Sequence, residues 1–104
     1  MLIIRKKIEG TEAYFALEGR LDTATSPELE GELGEALGGI GSLTLDFEKL
    51  DYISSAGLRV LLSTQKLMNR QGTMKIVGVN GAIMEIFEVT GFSEILTVER
   101  GNDG

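Results

Sequence analysis

The sequence predicts an α/β domain with the element order β-β-α-β-α-β-α-β, three helices packed on a mixed, mostly parallel sheet of four to five strands. Three observations carry that expectation. Apolar residues switch between a period of two and a period near 3.6 along the chain. Gly, Pro and Asn stand where the period changes. After an opening pair of strand-like segments, strands and helices alternate, as in strand-helix-strand units with right-handed crossovers.

The segments MLIIRKKIEG and EAYFALEG read as short strands joined through Glu9-Gly10-Thr11-Glu12, which predicts a hairpin. Beyond Leu21-Asp22, Thr25 and Glu28 have the spacing of a capping box, with Pro27 in the first turn, where its missing N–H costs nothing. Leu29, Leu33, Ala36 and Leu37 then share one face, and Gly38-Gly39 supplies a stop, so the first helix is predicted over Ser26 to Leu37. SLTLDF, Ser42 to Phe47, alternates as a strand does. Leu58, Leu61, Leu62 and Met68 form the apolar face of a second helix running to about Asn69 and ended by Gln71-Gly72. MKIVGV, Met74 to Val79, is a strand, and Asn80-Gly81 a turn. Ile83, Ile86 and Phe87 mark a short third helix that stops at Gly91, before a last strand in EILTVE. The domain is expected over residues 1–99, with RGNDG, residues 100–104, as a frayed tail short of apolar surface.

A chain of 104 residues, 42% apolar and 25% charged, matches one globular domain that buries its own core. It contains neither cysteine nor histidine. That removes disulfides, thiolate and imidazole metal ligands, thiol nucleophiles and the Ser-His-Asp triad, and is compatible with a cytoplasmic location. A net charge of −6 argues against nucleic acid and membrane surfaces as partners, since both recruit clustered Lys and Arg. MLIIRKK places its charges after a very short apolar run, the reverse of a secretory signal, and no window approaches the roughly eighteen apolar residues of a membrane span.

The stretch DYISSAGLRVLL, Asp51 to Leu62, sets two hydroxyls and Ala56-Gly57 between an apolar strand and an apolar helix. Ser54 and Ser55 are therefore expected in the loop after SLTLDF, at the entrance of the second helix. Two readings compete there. A serine at that place caps the free N–H groups of the first turn. The same positive helix end also tolerates an anion, so a hydroxyl there can carry a phosphate that acts on whatever docks against it. Catalysis is disfavoured: no histidine can act as base, and SSAG is not the G-x-S-x-G turn of hydrolases. Neither phosphate-loop pattern occurs, GVNG (Gly78 to Gly81) reads as a strand-to-helix turn, and no nucleotide or other cofactor is expected. Asp22, Glu48 and Asp51, near expected loop ends, are isolated carboxylates rather than metal ligands.

LEGRLDTATSPELE, LTLDFEKLDYISSAGLRVLL and VGVNGAIMEIFEVTGF together resemble the STAS domain of bacterial anti-sigma factor antagonists over nearly the whole chain. The resemblance implies a regulator rather than an enzyme. Such a protein binds an anti-sigma factor that is also a serine kinase, frees a sigma factor, is inactivated when the kinase phosphorylates one loop serine, and is reset by a serine phosphatase. Carried over by position, the acceptor falls on Ser55, with Ser54 the second candidate, and the first-loop Asp on Asp22. The implied partner face comprises Asp22, Ser54, Ser55, Ala56, Gly57 and Arg59. This chain has Ser54 where the family often has Asp, and Ala56 where it often has Ser or Thr. The resemblance also admits a second class, an unswitched or ligand- or nucleotide-sensing interaction module.

Overall fold

The N-terminal alternation closes into the expected hairpin: β1 (Leu2–Glu9) and β2 (Glu12–Leu21) pair antiparallel from Leu2↔Gly19 to Glu9↔Glu12. The structure, a computed structural model, describes residues 1–101. There follow α1 (Ser26–Ala36), β3 (Ser42–Ile53), α2 (Ser55–Gln71), β4 (Thr73–Val79), α3 (Gly81–Thr90), a 3-10 turn at Phe92–Glu94 and β5 (Val98–Arg100). The strands lie in chain order, β1-β2-β3-β4-β5, and every neighbouring pair after the hairpin is parallel.

Phe15, Leu17 and Leu21 of β2, Leu45 and Phe47 of β3, and Ile76 of β4 face a single core with Leu29 and Leu33 of α1, Leu61 and Met68 of α2 and Phe87 of α3. Full burial of each such side chain contributes about 1.5–3 kcal/mol. The intervening strand residues, among them Tyr14, Glu18, Thr44, Asp46, Lys75 and Val77, are exposed or half-buried, so the helices cover one face of the sheet. Parallel strands covered on both faces read as continuous apolar runs. Here the uncovered face leaves the two-residue alternation visible in SLTLDF and MKIVGV.

Three expectations need correction. β3 does not end at Phe47 but continues for six more residues to Ile53. In its pairing with β2, the steps Ala16 to Glu18 and Gly19 to Arg20 face Asp46 to Lys49 and Leu50 to Tyr52, so β3 carries an extra residue at each. These bulges move the buried positions to Leu50 and Ile53, three apart, and break the period that marks a strand. β4 passes the first bulge at Gly78, whose φ of 69° and closeness to Glu48 N, 3.0 Å from an added Cβ, both favour glycine. Glu48 and Asp51 consequently sit inside β3 rather than at loop ends. Second, EILTVE is mostly not a strand; the 3-10 turn and buried Leu96 precede a β5 of three residues. Third, Arg100 of the expected tail pairs with Val79, and Gly101 N–H donates to Val79 O at 2.9 Å. The remaining tail residues, 102–104, lie outside the described residues. The strand-to-helix turn expected at GVNG is present, with Asn80 as the N-cap of α3: its Oδ1 accepts the Ile83 N–H at 2.9 Å and its Nδ2 donates to Leu50 O at 3.0 Å.

Candidate functional site

The parallel strands β2 and β3 end side by side, Leu21 opposite Ile53, and the chain leaves both at the same edge of the sheet. Ser54 N–H donates to Leu21 O at 2.9 Å, which ties the entrance of α2 to the end of β2. Carboxyl ends of parallel strands are where α/β sheets usually place their sites.

The adjacent serines have different surroundings. Ser54 is the N-cap of α2, extended at φ −98° and ψ 175°; its Oγ accepts the Gly57 N–H at 3.3 Å and its carbonyl the Leu58 N–H at 2.9 Å. Ser55 is the first residue of the helix, and it is exposed. Among the described residues its hydroxyl makes no hydrogen bond. One serine is thus committed to the backbone and the next is presented to solvent.

Gly57 is buried beneath them. A Cβ there would lie 2.8 Å from Ile53 Cγ1 and 2.9 Å from Leu21 Cγ, so glycine lets the first turn of α2 sit directly on the ends of β2 and β3. Its place in the expected partner face needs correction: it packs and offers a partner no surface. Ala56, half-buried, and exposed Arg59 line a depression of about 300 Å³ between α2 and the start of α1.

Asp22 organises the neighbouring loop. Its Oδ1 accepts the N–H groups of Ala24 and Thr25, both at 3.0 Å, in an Asx turn. The Thr25 hydroxyl accepts the Asp22 N–H at 2.9 Å and lies 2.8 Å from Arg20 O and 3.1 Å from Asp22 Oδ1, between which its one proton is shared. The capping box expected from Thr25 and Glu28 is therefore absent. Thr25 precedes the helix, but its side chain caps nothing, because the Asp22 turn already uses it. Ser26 Oγ donates to Asp22 O at 2.6 Å and closes the loop. The Thr25 N–H, then the Thr25 hydroxyl and the Ala24 N–H, hold the Asp22 carboxyl below its ordinary value, against the opposing effect of burial.

Two residues that sequence reasoning did not single out complete the site. The Arg20 guanidinium lies 4.2 Å from the centroid of the Tyr52 ring, and its Nε is 3.8 Å from Asp22 Oδ2. Arg20 and Tyr52 are partners across the β2–β3 ladder, after the second bulge. Their proximity depends on that register, so no local pattern could have revealed it. No cluster of three or more metal-ligating side chains occurs among the described residues. No helix among them is long and apolar enough to cross a membrane.

The STAS domain model matches residues 3–102. A protein of Bordetella bronchiseptica named as an anti-sigma factor antagonist, BtrV, is 34% identical over 99% of this chain and 90% of its own length. The anti-sigma-B factor antagonist of Staphylococcus aureus is 32% identical over 82% of this chain and 81% of its own length. Among solved structures, an anti-sigma factor antagonist from Mycobacterium paratuberculosis superposes with a TM-score of 0.87, covering 99% of this chain and 89% of that one at 18% identity.

Proposed function

Because the chain belongs to the STAS domain family, we propose that it is an anti-sigma factor antagonist that is switched off by phosphorylation of Ser55. In its unmodified form it binds an anti-sigma factor with serine kinase activity through the Ser55 end of α2 and the Asp22 loop, and the sigma factor is released. The observation that carries the switch is the division of labour between the serines: Ser54 caps α2, and the exposed Ser55 hydroxyl is left free among the described residues. The partner's names in the related proteins, anti-sigma factor and anti-sigma-B factor, supply its class.

Inactivation is a phosphoryl transfer. The Ser55 oxygen bonds the γ-phosphorus of ATP, the bond from that phosphorus to the β-phosphate bridging oxygen breaks, ADP leaves and the hydroxyl proton is lost. The chain supplies the acceptor and the kinase supplies the machinery. About two negative charges are then placed at the positive end of α2, where they are tolerated, so the fold survives. The effect falls on the partner, which meets a dianion beside the Asp22 loop. A serine phosphatase hydrolyses the ester and restores binding.

The test is intact mass spectrometry, with site mapping by fragmentation, after incubation with ATP and the serine kinase encoded nearest to this gene. One phosphate on Ser55 is expected, together with lost kinase binding for Ser55→Asp and retained binding for Ser55→Ala. Phosphate on Ser54, or equal binding by the two variants, would refute the switch.

A further inference from the structure

Helices α1 and α2 lie side by side and leave a groove that neither the cap nor the acceptor serine occupies. Its first part, about 300 Å³, runs between Pro27 and Glu30 on α1 and Ala56 and Arg59 on α2. A second part, about 140 Å³, shares Glu30, Val60 and Ser63 with the first and extends to Leu37 and Leu67. The two form one channel along helices that run in the same direction. Between Ala56 and Leu67 the helix advances about 16 Å, or about three turns, at about 1.5 Å per residue.

The two walls each present one charge to the groove, negative on α1 and positive on α2. Of the four glutamates of α1 only Glu30 lines the groove, while Arg59 lines it from α2, whose other cations are Lys66 and Arg70 and which has no acidic residue. The cations of α2 are spaced seven and four apart and so share one stripe. Glu32 turns away to pair with Lys6 on β1, while Glu30 and Arg59 border the same groove. No ion pair joins the two walls among the described residues. The floor holds Val60, and Leu67 at its far end is 39% exposed. Gly34 in the α1 wall keeps the channel open: an added Cβ would meet no atom within 4 Å. Glycine weakens a helix interior, and no neighbouring atom requires it here.

We propose that this groove receives an amphipathic helix of the anti-sigma kinase, laid lengthwise, with small apolar residues on its buried ridge, a basic flank toward α1 and an acidic flank toward α2. Grooves of this kind take helices by an apolar ridge, and paired flanking charges set their orientation. A helix turned the other way would bring like charges together on both walls. The groove begins beside Ser55, so one docked helix would span the switch and the channel. This inference rests on the partner assignment above and adds where the partner docks and with what chemistry.

The test fills the channel without disturbing the fold. Gly34→Leu places a side chain in the groove. Gly31→Leu adds the same side chain to the same helix off the groove wall, where a Cβ also meets no atom within 4 Å. Both variants should melt at or above the wild-type temperature. Titrated calorimetrically with the neighbouring serine kinase in the presence of ADP, Gly34→Leu should bind at least about tenfold more weakly, and Gly31→Leu within about twofold of wild type. Equal affinity for Gly34→Leu and wild type, with Ser55→Asp still impaired, would overturn the groove and leave the partner assignment standing. Equal losses in the two leucine variants would also overturn it, as would a Gly34→Leu effect confined to self-association of the chain. If wild type failed to bind the kinase, the partner assignment would fail and the groove proposal with it.

Discussion

Replacing Ser54 with alanine removes the acceptor for the Gly57 N–H and should cost about 1 kcal/mol in urea denaturation, the usual worth of an N-cap. Ser55→Ala, at an exposed position, should stay within about 0.5 kcal/mol of wild type. The adjacent hydroxyls are thereby separated by stability alone, before any partner is added. Tyr14 makes a second residue-scale test. Its hydrogen bond to the Asp46 carboxylate, helped by burial, pushes the phenol up to about 12. Absorbance titration of the two tyrosines should show one ionising near that value, and Asp46→Asn should return it toward the ordinary value of 10.0. A phenol raised on folding stabilises fully below its unfolded value, and that contribution fades as pH rises from about 10 toward about 12. Asp22 has the opposite sign. Its folded carboxyl is depressed, so its contribution is present above the ordinary 3.8 and is lost as pH falls through the folded value. Asp22→Asn should flatten the acid limb of the stability curve. At this scale Ser55 and Asp22 stand out in the chain, whereas Arg20 and Tyr52 do not: they meet only because two bulges bring Arg20 opposite Tyr52.

Gly57 joins one element to two others, since α2 reaches the ends of β2 and β3 only if no side chain intervenes. Gly57→Val should destabilise by about 1–3 kcal/mol, the range of overpacked cores, with the helix displaced from Leu21 and Ile53. Equilibrium urea denaturation measures the first effect, and amide exchange along the first turn of α2 the second. Substitution without loss of stability would mean that α2 is not seated as described. Element boundaries were legible where a local signal was unopposed: Pro27 near the start of α1, Gly91 at φ 82° closing α3, Gly72 after α2. They were not legible where one signal had two uses. Thr25 with Glu28 has the spacing of a capping box, yet the hydroxyl is taken by the Asp22 turn. Asp46 through Ile53 loses its alternation because bulges shift which residues face the core.

Across the molecule, the sheet and its helices share one core, and Phe47 of β3 meets Phe87 of α3 with ring centroids 6.5 Å apart and tilted by 41°. Phe47→Ala should cost about 3–5 kcal/mol, a large part of the 5–15 kcal/mol that holds a typical domain, and should lower the midpoint of a single cooperative transition. Separate transitions for sheet and helices would contradict a shared core. The class of fold, the order of its elements and the position of the serine pair at the entrance of α2 were written in local chemistry, because period, turn residues and adjacent side chains act over a few neighbours. The length of β3, the division of roles between Ser54 and Ser55, the burial of Gly57, the Tyr52–Arg20–Asp22 stack and the groove between an acidic and a basic helix came from the fold. Each depends on which strand lies beside which and in what register, and contacts between distant residues leave no periodic trace in a single chain.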